Sequence, residues 1–228
     1  MNLWLLAPPL VLAAGVLFWR HVWFFRNPPR ITPPGENIVS PADGTVVYVS
    51  RVEPHQEVFT IKQGVSARLT DIVREDLDQA KLSIGIFMSP FNVHYNRIPL
   101  AGRIGSVKHH PAIPQNLPMF SMHWRIMLHW PPFYRHSKHI IQNERTVTRI
   151  ESTFRGEQIS YYIVQIAGWS VAGIDSYVKV GEEVSKGKIF GMIRIGSQVD
   201  LVIPYLPEMD VMVNPGDKVR AGETVLVA

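Results

Sequence analysis

Between Phe190 and Asp200 the chain reads Phe-Gly-Met-Ile-Arg-Ile-Gly-Ser-Gln-Val-Asp, with Gly196-Ser197 set between two apolar, β-branched runs. Runs of that composition fit strands, and the Gly-Ser pair is a tight break between them. The wider sequence is punctuated in the same way. Eighteen prolines and sixteen glycines among 228 residues favour many turns and short strands over a helical bundle. The break itself has two readings. One is a turn or bulge carrying an ordinary hydroxyl. The other is a self-processing site, in which the Ser197 hydroxyl attacks the carbonyl of Gly196. A residue without Cβ tolerates strain and lets a nucleophile approach.

Composition narrows the function classes. Apolar residues make up 46% of the chain and charged residues 18%, which is enough to build a real core. A formal charge of +4, without a Lys/Arg-rich run or an aromatic stacking motif, argues against a nucleic-acid partner. The absence of cysteine excludes disulfides, thiolate metal sites and a Cys nucleophile.

Residues 3–19 carry no charge, and a span of roughly 17 apolar residues is near the lower limit for crossing a bilayer. Trp23, Phe24 and Phe25 follow, interleaved with Arg20, His21, Arg26 and Arg30, as in an interfacial anchor. We therefore expect an N-terminal membrane anchor over residues 1–25 and a catalytic domain over 26–228. Pro8-Pro9 leaves a shallow or re-entrant anchor open. A signal peptide fits less well, since a charged n-region and an A-x-A-like site are missing. The basic flank places the remaining chain on the cytoplasmic face of the inner membrane. A Pro-rich linker, residues 26–40, stiffens the connection.

Beyond the linker, Asp43-Gly44 is a turn signal before a β-branched strand. Asp43 suits that turn on its own account. Lys81–Pro90 reads as a strand ending at Pro90. His94 follows in an apolar, turn-bounded setting, either as a satisfied structural residue or as a tuned acid–base group. Residues 107–143 gather His109, His110, His123, His129, His136 and His139 with Trp124, Trp130, Phe133 and Tyr134. No metal-ligand spacing such as H-E-x-x-H is present, so no metal is expected. The segment reads better as a partly mobile lid or a membrane-facing surface. Residues 180–189 repeat in 215–224: Val-Gly-Glu-Glu-Val-Ser-Lys-Gly against Pro-Gly-Asp-Lys-Val-Arg-Ala-Gly. The unit resembles half of a biotinyl/lipoyl-type barrel-sandwich, but neither copy has the Met-Lys-Met pattern of a carrier. The expected fold is mainly β with minor helix, a barrel-sandwich-like domain behind the anchor helix. Strands on either side of residues 196 and 197 are expected to be neighbours.

Five segments, in order, resemble the short form of the phosphatidylserine decarboxylase family. They are Phe24-Phe-Arg-Asn-Pro-Pro-Arg30, Ser40-Pro-Ala-Asp-Gly44, Ser89-Pro-Phe-Asn-Val-His-Tyr-Asn-Arg-Ile-Pro99, Asn143-Glu-Arg145 and Phe190–Asp200. The resemblance implies a proenzyme cut between Gly196 and Ser197 into β and α chains that remain partners; a homo-oligomer stays open. Ser197 would become a covalent pyruvoyl group, whose ketone takes up the amine of phosphatidylserine and serves as electron sink for loss of carbon dioxide. It further implies a phospholipid substrate drawn from the membrane, with phosphatidylethanolamine as product. Asp43, His94 and Ser197 would act in triad logic.

The sequence departs from the family's long form at one point. That form has two histidines three positions apart, where this chain has His94 and Arg97. Arg97 cannot act as a base at neutral pH, so either His94 serves both self-cleavage and decarboxylation or another group activates Ser197. Arg97 and Arg103 are candidates to bind the lipid phosphate or the substrate carboxylate. Two alternatives accompany the enzyme: the same chemistry on an archaeal-type ether lipid, archaetidylserine, and an uncleaved, membrane-anchored barrel-sandwich binding or carrier protein.

Overall fold

The computed structural model describes residues 7–53, 57–62, 65–73, 79–169, 173–194 and 196–228. Among them the strands, in chain order, are β1 (Ile38–Val39), β2 (Gly44–Val52), β3 (Glu57–Lys62), β4 (Val65–Arg68), β5 (Lys81–Met88), β6 (Tyr95–Arg97), β7 (Gly102–His110), β8 (Arg145–Phe154), β9 (Glu157–Ala167), β10 (Ile174–Ser176), β11 (Glu183–Val184), β12 (Ile189–Ile193), β13 (Ser197–Pro204), β14 (Lys218–Val219) and β15 (Val225–Val227). The helices are α1 (Ala7–Phe18), continued by a π-helical turn over Trp19–Trp23, then α2 (Leu69–Val73), α3 (Phe120–Met127) and α4 (His139–Gln142). The protein is mainly β, as expected.

The body is a curled, antiparallel eight-stranded sheet in the order β11-β7-β8-β9-β13-β5-β2-β14. Its long central strands are apolar on both faces, which fits a sheet covered on both sides. Alternation along β13 divides the two cores. Val199, Leu201 and Ile203 join one apolar cluster with Ile84, Ile86 and Ile163. Val202 joins the other, with Val164, Ile166, Met122 and Ile140.

The internal repeat has a structural meaning. One copy supplies β11, which pairs with β7 at one edge of the sheet; the other supplies β14, which pairs with β2 at the opposite edge. Gly181 and Gly187 in the first copy have φ of 86° and 82°, and Gly216 and Gly222 in the second have 105° and 74°. These left-handed turns are why the repeat keeps glycine at both ends of each unit. Each copy covers a sheet edge that would otherwise offer unpaired backbone groups.

The strands flanking Gly196-Ser197, expected to be neighbours, are not hydrogen-bonded to one another. β12 pairs with β6 and β10 in a separate three-stranded sheet, whereas β13 lies between β5 and β9. The chain passes from one sheet to the other at this point, so each side has its own hydrogen-bonded partners.

Segment 107–143 is packed onto the sheet. Met122, Phe133 and Ile140 are buried in the second core. The buried Arg125 donates to the carbonyls of Pro132 and Pro131 at 2.8 and 3.1 Å and stacks on the Trp130 ring. Phe120, Trp124, Met127 and Leu128 remain exposed. In α1, Leu10, Val11 and Leu12 are also exposed. Among the described residues no helix is long and apolar enough to cross a membrane; residues 1–6 of the expected anchor lie outside them.

Candidate active site

Ser197 opens β13, paired with Met88 of β5 and Ala167 of β9. Its side chain is fully buried, and Oγ donates to the Met88 sulfur at 3.5 Å. The same sulfur receives an Asn96 amide N–H at 3.6 Å, and Asn96 Oδ1 accepts from Gln165 at 2.8 Å. Gln165 Oε1 is buried without a hydrogen-bond partner. Gly196 has φ +57°, and a Cβ there would meet nothing within 4 Å. Space beside the Gly196–Ser197 bond is therefore available on the glycine side.

That space leads into a cavity of about 170 Å³ lined by Gly196, Phe87, Met119, Phe120, His123 and Trp169, among others. A larger cavity, about 700 Å³, shares Phe87 and His123 and reaches Asp43, Phe91 and Arg220. Exposed Phe120, Trp169 and Phe91 stand at the edges of these two spaces.

His94 immediately precedes β6, and its carbonyl accepts from Ile193 N–H at 3.4 Å, four residues before Ser197. Its Nδ1 lies 2.9 Å from the Asn92 carbonyl. A carbonyl can only accept, so Nδ1 carries the proton and Nε2 keeps the lone pair. Nε2 is buried and has no hydrogen-bond partner. The Phe24 ring stacks on the imidazole, with centroids 4.3 Å apart. Burial lowers the imidazole to about 4; the Asn92 hydrogen bond opposes this and the Arg26 charge adds to it. At neutral pH the ring is therefore uncharged, with its basic nitrogen unengaged.

Asp43 belongs to a different set of bonds. Both its oxygens accept from Arg30 Nη2, at 3.0 and 2.8 Å, and Oδ1 also accepts the Ala221 N–H at 2.8 Å. Arg30 donates its other nitrogen to Glu223 at 3.0 Å. The imidazole is oriented by a backbone carbonyl, whereas the carboxylate is held by a guanidinium. Arg97 donates to the carbonyl of Gly187 at 2.8 Å and to Asn27 at 2.7 Å. Arg103 sits on β7, separated from β13 by β8 and β9, and donates to the carbonyl of Gly181 at 3.3 Å. Ser197 and His94 thus share the junction of the two sheets, Arg97 lies on β6 next to it, and Arg103 lies toward an edge.

The other face of β13 carries polar residues that the sequence reading passed over. Gln198 and Asp200 are fully buried. Gln198 Nε2 donates to Asp200 Oδ1 at 2.7 Å, and Gln198 Oε1 lies 3.2 Å from His139 Nε2. Burial pushes the Asp200 carboxyl up to about 6, against the opposing hydrogen bonds of Gln198 and Tyr48 and the charge of Arg145. Burial lowers His139 to about 4, against its bond to Gln198. The buried Arg145 donates to the carbonyls of Asn143 and Ile72. The available signal was polar side chains inside an apolar strand, since such groups are retained in a core only when bonded.

The family model for phosphatidylserine decarboxylase matches residues 17–227. A phosphatidylserine decarboxylase proenzyme of Chlorobium phaeovibrioides is 36% identical over 223 residues, 96% of this chain and 81% of that protein. One from Pelobacter propionicus is 36% identical over 206 residues, 90% of this chain and 74% of its own length. A Halobacterium salinarum protein provisionally named an archaetidylserine decarboxylase proenzyme is 35% identical over 206 residues, covering 90% and 79%.

Proposed function

Since this chain belongs to the phosphatidylserine decarboxylase family, we propose that it is a proenzyme that cuts itself between Gly196 and Ser197 and decarboxylates phosphatidylserine to phosphatidylethanolamine. The observation that carries the reading is a buried serine after an uncrowded, left-handed glycine, at the junction of the two sheets where the backbone of His94, buried, uncharged and with no partner on Nε2, accepts from Ile193.

Self-cleavage follows from these groups. Ser197 Oγ–H loses its proton to a base, and Oγ adds to the Gly196 carbonyl carbon. The C–N bond breaks with its electron pair going to nitrogen, which takes up a proton, so the amide becomes an ester and an amine. Loss of the Ser197 Cα proton then expels the Gly196 carboxylate and leaves a carbon–carbon double bond. Tautomerisation and hydrolysis release ammonia and leave a ketone on residue 197. His94, its ring set by the Asn92 carbonyl, is our candidate for the base, with Asp43, bonded to Arg30 and not to the imidazole, assisting through its charge from the Ala-Asp-Gly turn.

The pyruvoyl group so formed fits the site because its carbon skeleton is that of Ser197 and needs no further room. Met88, Asn96 and Gln165 would surround it, with β5 and β9 holding its attachment to Gln198. When present it supplies the electron sink for decarboxylation. Two partnerless buried acceptors, His94 Nε2 and Gln165 Oε1, suit the N–H groups of a substrate amine. Arg97 and Arg103 are proposed to meet the substrate's phosphate or carboxylate.

We read α1 and the exposed aromatics around the two cavities as the parts that meet the membrane, on its cytoplasmic face, behind a barrel-sandwich-like domain over 26–228. The headgroup chemistry is the same for archaetidylserine, and the Halobacterium salinarum relative keeps that substrate as a second reading. Intact-mass measurement tests the first step: two fragments, the smaller blocked at its N-terminus and reactive toward hydroxylamine or borohydride. Ser197→Ala should stay whole and inactive. A wild-type chain that remains unbroken and unreactive would overturn the proposal.

A further inference from the structure

We infer that His139, acting through Gln198, is a positioning residue for the Gly196–Ser197 bond and, after cleavage, for the residue that carries the ketone. The inference rests on the self-cleavage reading above and assigns a task to a histidine of the 107–143 segment that the reaction does not otherwise use.

Ser197 is the first residue of β13, so the bond to be cut lies where the ladder stops. One residue later the side chain of Gln198 points to the opposite face. There its amide is gripped from both ends. The Asp200 carboxylate can only accept, which fixes the amide nitrogen on that side, 2.7 Å away. The amide oxygen then faces His139 at 3.2 Å, and the imidazole must donate its Nε2–H. An amide turned over would set its oxygen against the carboxylate oxygen. With Asp200 ionised only one rotation of the Gln198 amide serves both neighbours, so position 198, one peptide from Ser197 and already in the ladders of β5 and β9, is also tethered through its side chain.

The clamp is anchored outside the sheet. His139 opens α4 and is buried. The same segment is strapped to the strand beside Ser197: Asn143 donates to the carbonyls of Ala167 at 2.7 Å and Leu117 at 2.9 Å, and Ala167 is the ladder partner of Ser197. Segment 117–143 therefore fixes position 197 from β9 and position 198 from its side chain. Apolar residues at 198 and 200 would fill the second core without any desolvated polar group, so the buried amide and carboxylate serve orientation.

The groups facing the clamp are Tyr48, Arg145, Asp200 and His139. Asp200 titrates near 6, and protonation removes the negative charge from the bond that holds the Gln198 amide. His139, titrating near 4, stays neutral over that range. Self-cleavage should therefore slow as pH falls through about 6.

The test follows cleavage of the full chain after cell-free synthesis, by gel, at pH 5.5–8. Gln198→Met keeps length and loses both hydrogen bonds; His139→Leu loses the donor; His139→Gln keeps an N–H. Gln198→Met and His139→Leu should cleave about ten-fold more slowly or worse at pH 7.5, and His139→Gln should stay within about three-fold of wild type, as expected where a hydrogen bond rather than a ring is needed. In Gln198→Met the loss of rate near pH 6 should vanish. Cleavage at the wild-type rate in both disruptive variants, an unchanged acid limb, or equal slowing in His139→Gln and His139→Leu would each overturn the inference. Thermal melts of the same substitutions on a Ser197→Ala background report folding apart from cleavage; if Gln198→Met fails to fold there, the two His139 variants decide. An uncut wild type would instead sink the self-cleavage reading itself.

Discussion

Arg30 and Asp43 form a two-pronged ion pair, one guanidinium nitrogen meeting both carboxylate oxygens at 3.0 and 2.8 Å. The side chains are only 7% and 11% exposed. The pair joins the Pro-rich segment to the turn before β2, and Glu223 extends it to the second copy of the repeat. Removing one partner strands a buried charge. Arg30→Met should cost roughly 3 kcal/mol, in the range for breaking a buried pair, seen as a lower melting temperature. The Arg30→Met, Asp43→Asn double variant should be more stable than the sum of the two single losses. Strict additivity would mean the pair carries no coupling.

His94 is expected to act in the decarboxylation step through its unengaged Nε2. On protein that has already been cut, His94→Ala should lower release of carbon dioxide from phosphatidylserine vesicles by about 10²-fold, the lower range for loss of an acid–base group. Turnover within a few-fold of wild type would remove His94 from that role.

Acid stability has a definite sign. His94 and His139 titrate near 4 in the folded chain, below the ~6.5 of a free imidazole. Between those values the unfolded chain binds more protons, so stability falls as pH drops from about 6.5 to 4, with each group contributing on the order of 3 kcal/mol. Asp200, near 6 when folded, works in the opposite direction, because the folded chain holds the extra proton between about 4 and 6. Urea unfolding at pH 7 and pH 5 should show a net loss at the lower pH. Asp200→Asn should enlarge that loss, and a smaller one would mean the carboxyl is not held protonated.

The exposed aromatics beside the cavities are expected to meet lipid. Replacing Phe91, Phe120 and Trp169 together with Ser should weaken binding to phosphatidylserine-containing vesicles by about ten-fold or more, given the apolar area removed. The melting temperature should hold, since all three are exposed. Undiminished vesicle binding would place the lipid contact elsewhere.

Gly85 lies under the Tyr48 ring, which would collide with any Cβ added there. Gly85→Ala should cost about 1–3 kcal/mol as an overpacked core. It should also disturb Asp200, which Tyr48 bonds. A neutral substitution would mean the ring can move aside freely.

Local patterns were legible in the sequence, and long-range meetings were not. The run from Lys81, closed by Pro90, gave β5, and Asp43-Gly44 announced β2. The repeat was visible as a pattern, but its use as a cover for both sheet edges depends on β7 and β2 being the outer strands. Arg30 reads from the sequence as part of the basic flank of an anchor, because its carboxylate partner is thirteen residues away. His139 and Gln198 are fifty-nine apart, beyond any periodicity argument. α3 was hidden because it is only eight residues long and His123 and Trp124 interrupt the spacing of Met122 and Ile126. The strands on either side of Gly196-Ser197 were expected to be neighbours, so that the site could survive cutting with its core intact, yet the chain changes sheets between them and each strand draws its hydrogen bonds from different partners.

β13 has a ladder on each flank, with β5 and with β9. If the backbone is severed just before it, as proposed, the two polypeptides would stay held together along both ladders. The shorter piece would be threaded through the middle of the longer one, and a ketone made at its first residue would be born already inside its container. Heat should accordingly release both pieces in a single transition, and the severed protein should not regain its shape once they have been parted.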